Sequence, residues 1–182
     1  MKKINFSNGW RVRRLDSSDK FQEIIIPHDA MITEKRSDDS MGGHNIGYFE
    51  AHDYEYQKSF FVSDDDYGKH FVLEFEGVYH QAVVYLNGQK IAFRPYGYTN
   101  FFVELDSDLK YGKENLLEVV VQNRLQPNSR WYTGTGIYRP VNLYIGEQEY
   151  ITENGIQIKT LSINKPTIEL TLSTVGAKEA KI

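Results

Sequence analysis

Hydrophobic residues recur at every second position through most of the chain, the period of half-buried β-strands. Phe71, Leu73 and Phe75 alternate with Val72, Glu74 and Glu76, and Phe101, Val103 and Leu105 alternate with Phe102, Glu104 and Asp106. Leu117, Val119 and Val121 share a face, as do Val141, Leu143 and Ile145, with Asn142 and Tyr144 opposite. Tyr56, Lys58, Phe60 and Val62 predict a further strand with an apolar end. Between Val83–Leu86 and Gln89–Phe93 stands Asn87-Gly88. These two residues tolerate the positive φ that both central positions of a type I′ turn require, so this is the strongest hairpin signal in the chain. Asp64-Asp65-Asp66-Tyr67-Gly68 and Tyr111-Gly112-Lys113 predict further turns. No amphipathic helix of ordinary length is legible. Residues 106–110 predict at most a short helical turn, capped by Asp106 or Ser107. Many short strands at regular spacing point to an all-β sandwich or jelly roll.

Two stretches depart from this pattern. Residues 24–47 are polar and irregular, and a long irregular stretch in a compact domain is either functional or mobile. After Gly146 the alternation restarts, with strands predicted from Gly155 to Ile163 and from Thr167 to Ser173. Two strands build no core of their own. The pattern therefore predicts one sandwich domain over residues 1–148 and, over 149–182, the opening strands of a second β-domain cut short, as in a fragment of a longer protein.

Composition narrows the chemistry. The 182 residues carry a net charge of −4, which argues against a nucleic-acid partner because phosphate binding needs a basic footprint. Arg11, Arg13 and Arg14 form too small a basic cluster to reverse this. Absence of cysteine removes disulfides, thiolate nucleophiles and thiolate metal sites, and it fits a reducing, cytoplasmic setting. The start Met1-Lys2-Lys3 leads into no apolar stretch, and no run approaches the roughly 20 apolar residues of a membrane span. The 13 tyrosines suit strands and wet binding surfaces alike.

No catalytic set emerges. His28, His44, His52, His70 and His80 lack metal-ligand spacing, and there is neither a phosphate loop nor a nucleophile elbow. The carboxylates at Asp38/Asp39 and Asp64/Asp65/Asp66 read as solvated turns. No cofactor is expected. Binding is better supported. From Asn123 to Arg139 the chain sets amides, guanidinium groups and flat aromatics on a glycine-hinged loop between two strands. Sugar hydroxyls pair with planar amides and guanidiniums, and sugar C–H faces stack on aromatic rings. The same residues also allow a plainer reading, in which Trp131 and Tyr138 plug the end of the sandwich and the arginines pair with carboxylates.

The run Ser129-Arg130-Trp131-Tyr132-Thr133-Gly134-Thr135-Gly136-Ile137-Tyr138-Arg139 resembles a motif of the N-terminal sugar-binding domain of glycoside hydrolase family 2, the family of β-galactosidases, β-glucuronidases and β-mannosidases. Three other segments agree in order: Ile26-Pro27-His28-Asp29; Phe75-Glu76-Gly77-Val78-Tyr79 leading to Val84–Gly88; and Pro95-Tyr96-Gly97-Tyr98-Thr99. The likeness runs from Trp10 to about Ile145. It implies a galactose-binding-like jelly roll followed by the first strands of an immunoglobulin-like domain. It also implies a retaining hydrolase whose two catalytic glutamates lie on a barrel outside this chain. The partners implied are a β-linked saccharide and the downstream domains of the same chain, with room for a homo-oligomer of the full-length enzyme. The fragment alone is expected to be inactive. In the best-known members an Asp one position before the aromatic pair touches the sugar. Arg130 stands there in this sequence. By the resemblance, Arg130 and Trp131 face substrate, His52 and Asp53 mark a second contact loop, and Asn123 joins them. His28 and Asp29 are expected to tie down backbone, and Arg139 to make a structural ion pair. Three functional readings follow: a domain of a β-galactosidase-type hydrolase, a free-standing carbohydrate-binding module, or a purely structural scaffold.

Overall fold

The computed structural model describes residues 1–176. Along them run β1 (Lys2–Asn5), β2 (Trp10–Arg14), β3 (Gln22–Ile24), β4 (Tyr54–Val62), β5 (His70–Phe75), β6 (Ala82–Leu86), β7 (Gln89–Arg94), β8 (Phe101–Glu104), β9 (Lys113–Val121), β10 (Val141–Gly146), β11 (Tyr150–Ser162) and β12 (Thr167–Val175). Two antiparallel sheets face each other: a four-stranded one in the order β1-β10-β5-β8 and a six-stranded one in the order β3-β2-β4-β9-β6-β7. The alternation legible in the sequence sets what meets between them. Leu117, Val119 and Val121 on β9 and Tyr56 on β4 bury against Phe71, Leu73 and Phe75 on β5, with Trp10, Leu86 and Ile137 in the same core. Each such side chain contributes about 1.5–3 kcal/mol by leaving water. The expected all-β sandwich is present, and Asn87 and Gly88 both have positive φ in the β6–β7 hairpin.

Several local expectations differ. β5 is buried on both faces, because its outward Glu74 is covered: Asn100 and Asn142 donate to its carboxylate at 3.0 and 3.2 Å, and the Tyr144 hydroxyl at 2.8 Å. Residues 106–110 form a turn and no capped helix. The Asp106 carboxylate instead accepts from the Phe71 amide at 2.7 Å and meets His70 Nδ1 at 2.6 Å. Arg11 and Arg13 lie on the outer face of β2, each 4.6 Å from the Phe21 ring, and Arg13 pairs with Glu55 at 2.6 Å. The basic cluster is thus occupied within the fold.

The irregular stretch 24–47 holds two short 3-10 turns, Met31–Thr33 and Gly43–Ile46, and Met31, Ile46 and Phe49 close a small core of their own beneath it. β11 and β12 pair only with each other, and β11 starts at Tyr150, earlier than the alternation suggested, because a bulge between Ile151 and Ile156 hides the period. Residues 177–182 of the expected second-domain segment lie outside the described residues. Among the described residues, no helix is long and apolar enough to cross a membrane.

Candidate functional site

The loop from Gln122 to Pro140 closes one end of the sandwich, and the segments singled out in the sequence meet on it. The amide of His28 donates to the Ile137 carbonyl and that of Ala30 to the Thr135 carbonyl, both at 2.8 Å. On the other side, Tyr79 and Gly136 exchange both backbone hydrogen bonds at 2.9 Å. Asp29 binds three groups. Its Oδ1 accepts from the amides of Met31 (3.1 Å) and Thr135 (2.9 Å), and its Oδ2 from the Tyr132 hydroxyl (2.5 Å). Burial, followed by this carboxylate, pushes the Tyr132 phenol pKa up. Asp29 therefore secures backbone, as its motif implied. Gly136 has φ +141°, and a Cβ there would meet the Tyr56 hydroxyl and stand 2.6 Å from the His28 carbonyl oxygen, so only glycine fits between the two flanking segments.

Asn123 is 1% exposed, and its amide is spent inside the loop. Nδ2 donates to the Gly134 carbonyl (2.9 Å) and Thr135 Oγ1 (2.6 Å), and Oδ1 accepts from Gln126 (3.1 Å) and Asn128 (2.7 Å). Asp53 joins it directly. Asp53 Oδ1 accepts from the amides of Asn123 (2.8 Å) and Arg124 (3.0 Å), and Oδ2 lies 3.3 Å from Arg124 Nε. Asp53 also lines a cleft of about 380 Å³ together with His80, Gln81, Gln122, Arg124 and Asn128. That is within the ordinary range of a small-molecule site. Asn128 spans the cleft wall, donating to His80 Nε2 at 3.1 Å and accepting from the Tyr79 hydroxyl at 3.2 Å. An amide nitrogen only donates, so His80 accepts at Nε2 in its neutral form. Burial lowers the His80 pKa, offset in part by Asn123, the Pro95 carbonyl and the Asp53 charge.

Arg130 and Trp131 occupy the exposed part of the loop. Arg130 has no ion pair among the described residues. Trp131 is 60% exposed and donates its indole N–H to the Tyr98 hydroxyl at 2.9 Å. Trp131 is therefore no plug for the sandwich end. His52 stands apart from this group. Its Nδ1 meets Asp16 at 2.7 Å, and it lines a second hollow of about 230 Å³ with Glu50 and Met41, which shares Arg124 with the cleft. Arg139 lies over the Tyr138 ring at 5.2 Å and makes no ion pair among the described residues, which corrects the expectation of a structural pair.

Glu34, Glu50 and His52 bring ligand atoms within 4.8 Å of one another, a spacing a cation would fit. The Arg14 guanidinium already supplies positive charge there, 3.3 Å from both Glu34 Oε2 and His52 Nε2. A larger groove, about 720 Å³, follows the short β3 edge beside Ile24, Ile25 and Gln57. Its one guanidinium, Arg11, is bound to Gln57 at 2.6 Å and stacked on Phe21, and Glu23 and Ser59 are the groove's other polar side chains, so it offers no imidazole. The smaller cleft is the better candidate because amide, imidazole, carboxylate and guanidinium groups converge on it. Neither His80 nor the Tyr96–Tyr98 pair carried a signal of its own in the sequence. Only their place in motif segments pointed near them.

Residues 10–159 match the model of the glycosyl hydrolase 2 galactose-binding domain-like family. The chain belongs to that family. A β-galactosidase of Bacteroides ovatus is 37% identical over 173 residues, covering 95% of this chain and 19% of that protein. A putative β-glucuronidase of Formosa agariphila is 36% identical over 173 residues, covering 88% of this chain and 16% of that protein. The crystal structure of a β-glycosidase from Bacteroides vulgatus superposes with a TM-score of 0.88 at 29% identity, over 99% of this chain and 25% of that one. This galactose-binding-like domain thus spans about a fifth of the length of the curated relatives it matches.

Proposed function

We propose that this domain forms part of the active-site rim of a retaining, β-galactosidase-type glycoside hydrolase, whose catalytic carboxylates stand on another part of the protein. The observation that carries this is the convergence of all four motif segments, around residues 29, 79, 97 and 135, on one end of the sandwich beside a polar cleft. That cleft offers the planar donors and acceptors that sugar hydroxyls pair with. Arg130 and Trp131 contact the saccharide from the loop tip. Asp53 acts from the cleft wall, where its charge also orders the Asn123–Arg124 backbone. Asn123 acts indirectly, as the hub that fixes the loop. His52 belongs to the neighbouring hollow and contributes less. The glycosidic bond breaks between two carboxylates about 5–5.5 Å apart in retaining enzymes, one as nucleophile and one as acid/base. This domain contributes binding and orientation to that step, which govern how much binding energy reaches the transition state.

The β11–β12 hairpin favours a domain of a larger enzyme over a free-standing module. Ile156 faces Leu172, Ile158 faces Leu170 and Thr160 faces Ile168, so one face of the hairpin is an apolar stripe with no partner among the described residues. Such a face suits the first strands of an immunoglobulin-like sandwich. In the full-length enzyme, Arg130→Ala should lower kcat/KM on β-galactosides about tenfold or more, a loss expected of one charge-assisted hydrogen bond. Unchanged kcat/KM on every active substrate would reduce the loop to scaffold. The 182-residue chain alone should show no glycosidase turnover.

A further inference from the structure

Beside the polar cleft lies a second surface of different chemistry. Tyr96 is 56% exposed, Tyr98 38% and Trp131 60%, and the three are built into one unit. Tyr98 stands at its centre. Its ring packs edge-on between Tyr79 (5.3 Å) and Tyr96 (5.7 Å), and its hydroxyl accepts the Trp131 indole N–H at 2.9 Å. The loop beneath is held shut. The Tyr138 hydroxyl donates to the Gly97 carbonyl at 2.7 Å, and a Cβ on Gly97 would stand 2.5 Å from the Tyr79 ring. The rings are therefore held in place before any ligand arrives, so stacking on them requires little ordering. Cleft and rings are also continuous, because Tyr79 packs on Tyr98 and its hydroxyl meets Asn128 on the cleft wall.

We propose that Tyr96, Tyr98 and Trp131 form a stacking platform for a second pyranose ring of a β-linked oligosaccharide, the ring next to the one held at the cleft. The inference rests on the reading of the cleft as a sugar site. The chemistry favours a sugar over a polypeptide. Each platform ring pairs a flat face with a polar tip, which suits a pyranose with its C–H face and flanking hydroxyls. By contrast, the hairpin stripe of Ile156, Ile158, Ile168, Leu170 and Leu172 carries no aromatic ring and, apart from Thr160, no polar tip, as a surface built to pack against protein would be. The domain therefore selects for substrates of two or more sugar units through Tyr96 and Tyr98, which lie outside the Gln122–Pro140 loop, with Trp131 at the loop tip shared between the two rings.

The chain carries its own reporter. Of its two tryptophans, Trp10 is 1% exposed with its N–H on the Phe6 carbonyl, so a ligand-dependent change in emission reports Trp131. The experiment titrates the 182-residue chain with a β-linked galactosyl disaccharide and, separately, with methyl β-galactoside. A saturable change with the disaccharide, weakened about threefold to tenfold by Tyr96→Ala and by Tyr98→Phe, is the expected result for loss of one aromatic or indole contact. The monosaccharide should bind more weakly and respond little to Tyr96→Ala. Both positions are exposed, and circular dichroism of each variant establishes that it is folded. Equal binding of the two ligands, unaffected by Tyr96→Ala, overturns the platform while the cleft reading stands. No response of Trp131 to either ligand also overturns it, and the Arg130→Ala kinetics then judge the cleft reading separately. Displacement of the disaccharide signal by another polypeptide of the enzyme, with no sugar dependence of its own, would identify the patch as a protein contact and sink the proposal.

Discussion

Asp29 holds Met31, Tyr132 and Thr135 together through one carboxylate, and Thr135 is fully buried. Removing the carboxylate strands an amide that water does not reach, at a cost of about 1–3 kcal/mol besides the lost charge-assisted bonds. Asp29→Ala should therefore lower the unfolding free energy by about 2–4 kcal/mol in urea denaturation. Asp29→Asn keeps an acceptor and should cost less. A second residue-scale expectation concerns His28 and His80, whose imidazole pKa values burial pushes below 6.5. The unfolded chain takes up these protons near 6.5 and the folded chain only at lower pH. Their contribution to stability is thus complete above 6.5 and is lost as pH falls from there through the folded values. Glu118 acts in the opposite sense, because burial and the neighbouring Glu55 push its carboxyl up. Imidazole C–H shifts read by NMR separate the groups, and both rings should titrate below the ordinary histidine range. Titration of either at or above it would contradict the buried, neutral assignment.

Among the elements, the β6–β7 hairpin shows what sequence reveals and what it leaves hidden. Asn87-Gly88 announces its turn because positive φ is a local property of two residues. The side chain of Asn87 does more than the turn requires. It donates to the Asp108 carbonyl (2.8 Å) and Asn115 Oδ1 (2.9 Å) and accepts from the Leu116 amide (3.1 Å). Asn87→Gly keeps the turn and loses these ties, so it should cost about 1–3 kcal/mol by thermal or denaturant unfolding. A neutral outcome would confine Asn87 to turn geometry. Period-two strands such as β9 were legible for the same local reason. β2 is not legible, because five residues with arginines outward give too short a period, and a bulge hides the start of β11. The cap expected for the turn at 106–110 is absent because the Asp106 carboxylate is drawn across to Phe71 and His70, a contact no local pattern encodes.

At the scale of the whole molecule, the loop from Asn123 to Arg139 was legible as an irregular, aromatic connection between two strands, but its supports were not. The Asp29–Thr135 bond spans 106 residues and the Trp131–Tyr98 bond 33, and spacing alone pairs neither. Only the order of four motif segments hinted that they meet. The aliphatic face of the β11–β12 hairpin sets a further expectation for the isolated chain. Exposed stripes of this kind drive association. Sedimentation velocity should show concentration-dependent self-association that Ile156→Thr with Ile158→Thr reduces. A strictly monomeric wild-type chain would show that this face is protected some other way. The locking of Gly136 between His28 and Tyr79 has a kinetic counterpart. Those residues come from far-separated stretches of chain and from both sides of the core, so this end of the sandwich has no subset of contacts that closes by itself. Amide protons of Thr135 and Gly136 should then exchange with solvent only when the entire sandwich opens, which makes this end of the sandwich as long-lived as the fold itself.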